Sequence, residues 1–118
     1  RKYINDTKAK GATPIVLSLV ARNRWEDGKV IRDTESYAKW AEESAKADEA
    51  FYIDLNDLVA THYEELGPEK VKNDLFLEDH THTTLGGARI NALSVVEGLR
   101  SIKKCELNKY LKKEYRKK

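Results

Sequence analysis

Pro14-Ile15-Val16-Leu17-Ser18-Leu19-Val20 is a short, nearly unbroken apolar run rich in β-branched residues. A strand with one wet face alternates in polarity. A continuous run predicts a strand covered on both faces, as in a parallel sheet. Phe51-Tyr52-Ile53-Asp54-Leu55 reads the same way. Between the two, residues 34–48 carry Tyr37, Trp40, Ala41, Ser44 and Ala45 on one helical face, with Asp33 or Thr34 available as a cap. Strand, helix, strand is the alternation of a parallel α/β sheet with crossover helices.

The rest of the chain extends that pattern. Tyr3-Ile4 and Thr7-Lys8 at helical spacing, with Gly11 as a stop, predict that the chain opens inside a helix. Residues 21–33 form a polar loop in which Asp27-Gly28 is a turn signal and Lys29-Val30-Ile31-Arg32 a small flanking extension. From about Asn56 a helix places Leu55, Leu58, Val59, His62 and Leu66 on one face; Gly67 stops it and Pro68 begins a short further helix. Residues 76–82 are a loop. Thr84 then caps a long helix reaching about Lys103, with Leu85, Ala88, Ala92, Val95, Val96, Leu99 and Ile102 as its apolar stripe. Two strands are too few to stand alone, and both edges of the pair are open. The expected fold is therefore α/β: the C-terminal half of a flavodoxin-like doubly wound parallel sheet, two strands plus crossover helices, over residues 1–103. Its remainder would come from another segment, another chain or a partner copy. Residues 104–118 read as a basic amphipathic helical tail, with Leu107, Tyr110, Leu111 and Tyr115 on its apolar side.

Composition narrows the function classes. Of the 118 residues, 36% are charged and 40% hydrophobic, as in an ordered, water-soluble chain. A net charge of +2 is too small to argue for a nucleic-acid partner. The local run Lys109, Lys112, Lys113, Arg116, Lys117 and Lys118 reads as cations at a helix C-terminus rather than a nucleic-acid or membrane patch. Cys105 has no second cysteine to pair with and no electropositive frame, so it reads as an idle or buried thiol. No run is long enough to span a membrane, and no signal segment or methionine is present; a processed or truncated product would look like this.

Chemistry concentrates in Asp79-His80-Thr81-His82, followed by Thr83-Thr84-Leu85-Gly86-Gly87-Ala88. An acid three residues before an imidazole is the layout in which a carboxylate holds a histidine in one tautomer so that it acts as a general base. The loop precedes the last core helix, where open α/β sheets carry their sites. His80 and His82 also form an H-x-H pair of the kind that binds metal, although no third ligand is evident; plain loop histidines are the third reading. Arg22, Asn23, Arg24 and Trp25 follow the first strand. They are the candidate substrate-binding set, with a Trp ring able to stack and Arg able to pair with a carboxylate, against a reading as ordinary loop residues. His62, on an apolar helix face, reads as a satisfied core histidine, and Trp40 as core.

Asp79-x-x-His82 before a long last helix resembles the final catalytic block of the SGNH (GDSL) hydrolases. Tyr52-Ile53-Asp54-Leu55-Asn56, His62-Tyr63, and Leu66-Gly67-Pro68-Glu69-Lys70 extend the likeness. With the loop Ala21-Arg22-Asn23-Arg24-Trp25, the series is similar to the second half of rhamnogalacturonan acetylesterases within that family, over roughly residues 1–100. The resemblance implies a serine-esterase mechanism with His82 as base and Asp79 as its orienting acid, and acetylated pectin sugars as substrates. It also implies no metal or organic cofactor, no nucleic-acid or membrane partner, and an extracellular or periplasmic location.

The family's Gly-Asp-Ser nucleophile block, and the Gly and Asn that help bind the oxyanion, have no counterpart in this sequence. Ser18 lies in an apolar strand, and Ser36, Ser44, Ser94 and Ser101 lie on helical segments without a nucleophile turn. Asn23 is not in the family's Gly-x-Asn-Asp block. Two hypotheses follow: an enzyme fragment that supplies Asp79 and His82 and needs the missing half, or a non-catalytic module that self-associates to bind or scaffold.

Overall fold

In the computed structural model, which describes residues 1–116, the chain begins in helix α1 (Lys2–Ala9), and Gly11 follows its C-cap with a φ of 74°. Strand β1 (Ile15–Leu17) comes next. β2 (Trp25–Glu26) and β3 (Lys29–Val30) then form a separate antiparallel hairpin. Its two-residue turn is Asp27-Gly28 with φ of 49° and 75°. Positive φ at both positions gives the twist that matches the flanking strands, which is why Asp-Gly suits this turn. Helix α2 (Tyr37–Ala47) crosses over to β4 (Phe51–Ile53), and β4 pairs in parallel with β1, Ile15 opposite Phe51 and Leu17 opposite Ile53. Helices α3 (Leu55–Leu66) and α4 (Pro68–Lys70), a π-helical turn (Val71–Leu75) and α5 (Leu85–Ser101) follow. The protein is thus α/β around a small parallel sheet, as the alternation predicts.

The elements are shorter than the apolar runs, for identifiable reasons. β1 stops at Leu17 because Ser18 turns toward the neighbouring strand end; its N–H still reaches the Ile53 carbonyl at 3.1 Å. Leu19 and Val20 emerge on the surface, Leu19 58% exposed. Residues 15–17 are half-buried rather than covered on both faces, and β1 pairs on one edge alone among the described residues. β4 stops at Ile53 because the Asp54 carboxylate caps α3, accepting the Asp57 N–H at 3.3 Å. α2 starts at Tyr37, three residues later than expected. The Asp33 carboxylate accepts the N–H groups of Ser36 and Ala38, both at 3.2 Å, and the Ser36 hydroxyl at 2.7 Å, which holds residues 33–36 in a capping turn.

The packing face of α2 also differs from the expected one. Ala38 and Ala45 are its buried residues. Trp40 is not core: it is 55% exposed and stands edge-on to Tyr37 at 5.4 Å between ring centroids. The core lies instead between β4, α3, the π-helical turn and α5, around Ile53, Val59, Tyr63, Val71, Leu75 and Phe76. Tyr63 and Phe76 meet edge-to-face at 5.6 Å.

α5 is the largest correction. Val95, Leu99 and Ile102 of the expected stripe do pack against the core. Leu85, however, is 72% exposed, Ala88 and Ala92 are exposed, and the buried positions are Gly87, Ser94 and Gly98. The helix has come close enough to the sheet that only small residues fit. A Cβ at Gly98 would overlap the Ile53 side chain, and one at Gly87 would overlap the Leu75 carbonyl oxygen. Apolar periodicity cannot identify a face chosen for smallness.

The hairpin β2–β3 is bound to α3 by charge. Arg32 reaches Glu64 at 2.7 Å and Asp57 at 2.6 Å, while Glu64 also accepts the Val30 N–H at 3.0 Å and lies 3.5 Å from Lys29. The Arg32 guanidinium bonded to it holds the Glu64 carboxyl down at about 2. After α5 the tail makes a short 3₁₀ turn (Glu106–Tyr110) and a four-residue helix, α6 (Lys113–Arg116), in place of one amphipathic helix. Leu107 and Tyr110 are exposed and Cys105 is buried. Lys117 and Lys118 of the basic run lie outside the described residues. Among the described residues no helix is long and apolar enough to cross a membrane.

Two outcomes follow from this packing. Gly87→Ala lowers unfolding free energy by about 1–3 kcal/mol, because a backbone carbonyl cannot yield as a flexible side chain can; urea denaturation checks it. Glu64 titrates lower in the folded state than its ordinary value of 4.5, so its contribution is complete above that pH and fades as pH falls toward about 2. The stability gap between wild type and Glu64→Gln is therefore full at neutral pH and closes across that acid window in thermal melts.

Candidate active site

The carboxyl ends of β1 and β4 are joined by side chains. The Ser18 hydroxyl donates to Asp54 Oδ1 at 2.8 Å and accepts the Asn56 N–H at 2.8 Å. Buried and doubly bonded, Ser18 is a structural clamp. Ser36 donates to Asp33, Ser94 to the Ile90 carbonyl and Ser101 to the Gly98 carbonyl. Among the described residues no serine hydroxyl is hydrogen-bonded to His82.

At this same end of the sheet, residues 76–83 form a loop with a narrow root. Phe76 and Thr83 pair as an isolated antiparallel bridge, and the Leu77 N–H donates to the His82 carbonyl at 2.9 Å. The Thr84 hydroxyl caps α5 on the Gly87 N–H at 3.3 Å and donates to the Asp74 carbonyl at 2.6 Å. At the loop's outer end Asp79 Oδ1 accepts the N–H groups of Thr81 (2.7 Å) and His82 (2.6 Å), and Asp79 Oδ2 lies 2.6 Å from His82 Nδ1. The His82 N–H first, then its ring and the Thr81 N–H, hold the Asp79 carboxyl well below the usual carboxylate range. An ionised carboxylate only accepts hydrogen bonds, so Nδ1 carries the proton and the lone pair of the neutral ring sits on Nε2. Both side chains are substantially exposed.

The candidate substrate loop lies against this one. The Asn23 N–H donates to the His80 carbonyl at 3.0 Å, and Arg24 Nη2 lies 3.1 Å from His80 Nε2. Trp25 is half-buried against the core, and its indole N–H donates to Asn23 Oδ1 at 2.7 Å, so these two side chains occupy each other. Arg22 and Arg24 remain exposed and line a concave surface with Leu19, Val20 and Tyr37. In the H-x-H pair, His82 Nδ1 faces a carboxylate and His80 Nε2 faces a guanidinium. Among the described residues no group of three or more His, Cys, Asp or Glu is arranged to hold a metal ion. His62 is satisfied, but at the surface rather than in the core, with Nε2 2.9 Å from Glu97 and Nδ1 3.6 Å from Glu65. The Arg24–His80 contact, 56 residues apart in sequence, is the element of the site with no local signal in the sequence.

No protein-family model matches the chain. In sequence it is similar to the probable rhamnogalacturonan acetylesterase YesY of Bacillus subtilis, 29% identical over 106 residues that make up 86% of this chain and 49% of that protein. It is also similar to the rhamnogalacturonan acetylesterase of Emericella nidulans, 31% identical over 83 residues, 70% of this chain and 34% of that one. In structure it resembles protein YXIM of Bacillus subtilis, with a TM-score of 0.75 at 25% identity, covering 85% of this chain and 29% of the other. The chain thus spans half or less of the length of the relatives it matches. Sequence and fold together support a likeness to rhamnogalacturonan acetylesterases and proteins of that fold.

Proposed function

We propose that this chain is the C-terminal half of an SGNH-type carbohydrate esterase that removes acetyl groups from pectin-type polysaccharide. In this reading it supplies Asp79 and His82 to a triad whose serine and oxyanion donors come from outside these 118 residues. The observation that carries the proposal is the Asp79–His82 pair: 2.6 Å apart, with the carboxylate fixed by two backbone N–H groups and the Nε2 lone pair left for a substrate-side proton. The likeness to rhamnogalacturonan acetylesterases supports the ester class. The unpaired edge of β1 is where further strands of a flavodoxin-like doubly wound sheet would add.

The chemistry follows from that geometry. His82 Nε2 takes the serine proton as the serine oxygen attacks the acetyl carbonyl, and the imidazolium then gives that proton to the departing sugar oxygen. In the second half His82 removes a proton from water, which attacks the acyl-enzyme, and returns it to the departing serine oxygen as acetate is released. Asp79 keeps the ring in the required tautomer and stabilises its protonated form. Arg22 and Arg24, exposed beside the base loop, would bind a uronate carboxylate of the substrate. Such a substrate places the enzyme outside the cell or in the periplasm. The exposed apolar residues Leu85, Ala88 and Ala92 of α5 favour one other reading, a non-catalytic module that self-associates through that face.

Combining the chain with the nucleophile-bearing half of its parent protein tests the choice. Acetate release from acetylated pectin fragments is the expected result. His82→Ala then lowers kcat by about 10²–10⁴-fold, and Asp79→Asn by a similar factor. Self-association with no hydrolysis under any pairing selects the module. In the active enzyme, Arg22→Ala raises KM for an acidic oligosaccharide more than for a neutral acetyl ester, and equal KM changes remove the uronate contact.

A further inference from the structure

We propose that His80 is a positioning residue for the base, transmitting the place of Arg24 to Asp79 and hence to His82; this rests on His82 being that base. The outer end of the loop, residues 78–81, projects away from the core. Among the described residues, the hydrogen bonds that tie it to residues outside the 76–83 loop both end on His80. Its carbonyl accepts the Asn23 N–H at 3.0 Å, and its ring nitrogen Nε2 receives Arg24 Nη2 at 3.1 Å.

The direction of each bond is fixed by chemistry. A guanidinium only donates, so Nε2 is the acceptor and the His80 proton sits on Nδ1. That Nδ1–H faces the Thr81 hydroxyl at 2.9 Å. The Thr81 N–H in turn donates to Asp79 Oδ1 at 2.7 Å, beside the His82 N–H that binds the same oxygen. The series Arg24, His80, Thr81, Asp79, His82 is therefore continuous, and every member before Asp79 donates toward the next. Arg24 itself stands on a hairpin root fastened by the Ile31 N–H to the Arg24 carbonyl at 2.9 Å. One guanidinium N–H is committed to His80, and the remaining donors of the fork stay available to a substrate carboxylate. Recognition and base placement then share a residue.

The test uses the complete parent esterase. His80→Ala is expected to lower kcat about 10–100-fold with KM for a neutral acetyl ester unchanged, the size of effect that about 1 Å of misplacement produces. His80→Gln, whose amide oxygen can still accept from Arg24, is expected to restore kcat to within a few-fold. Arg24→Ala lowers kcat in the wild-type background and not in the His80→Ala background, as members of one series must behave. Melting temperatures of all variants show that each is folded. An unchanged kcat in His80→Ala, with His82→Ala inactive, overturns the positioning role and leaves the triad standing. So does a loss in His80→Ala that His80→Gln fails to restore. Retained activity in His82→Ala overturns the triad reading and this inference with it.

Discussion

The close approach of α5 to the layer beneath it fixes most of what matters in this structure. At Gly87 the helix backbone lies where any side chain would strike the Leu75 carbonyl and the Thr83 side chain, and at Gly98 where it would strike Ile53. The first contact pinches residues 76–83 shut at their root, with Phe76 facing Thr83 and Thr84 bonded to the Asp74 and Leu75 carbonyls just before that root. A loop closed this tightly has little freedom left, and Asp79 removes more of it by taking two successive backbone N–H groups. The second contact sets the depth at which α5 sits on β4. Loop and strand end are held in one frame by small residues rather than by large apolar ones, which is consistent with close-packed interiors felt to a single methylene.

The sequence reveals the elements that depend on local chemistry and hides those that depend on proximity. Asp27-Gly28, Gly67-Pro68 and the Thr84 cap each satisfy a backbone requirement within a few residues, and each is where the residue types place it. The parallel pairing of β1 and β4 follows from two apolar runs flanking a helix. The packing face of α5 is different in kind. Its selection is for volume, so Gly87, Ser94 and Gly98 carry no hydrophobic signal, while Leu85 and Ala88 carry one and face outward. Trp40 misleads for the same reason: two alanines let α2 lie against the strands, and the larger rings go to the other side. In the site, the Asp79–His82 contact spans three residues and is legible. The Arg24–His80 contact exists because two loops share one end of the sheet, and no spacing encodes it.

Charge is divided between structural and chemical tasks. Arg32 is committed to Glu64 and Asp57, Asp33 to the turn before α2, and Asp54 to the start of α3 and to Ser18. These groups sit at the ends and edges of elements, where backbone donors and acceptors are otherwise unmet. Arg22 and Arg24 have no such commitment to a carboxylate among the described residues, and they lie beside the loop of residues 76–83. Their freedom is a property of the scaffold: the ion pairs that anchor the hairpin to α3 lie at its far strand, which leaves the near strand's loop to present its cations.

The exposure of the pair bears on how it works. In water a carboxylate does little for a neighbouring imidazolium, because solvent screens both, and the same 2.6 Å contact gains strength as water is withdrawn. Asp79 and His82 are held in contact but wet. Under the proposed triad, a second half of the domain would therefore bring more than a serine. Its surface, seated against the open edge of β1 and the outward apolar residues nearby, would lower the local dielectric around a pair whose geometry is already set. Orientation is built into this chain by backbone N–H groups that need no partner. The electrostatic force of the pair is conditional on being covered, so in the proposed enzyme such a scaffold would hold its base oriented and gain strength only once covered.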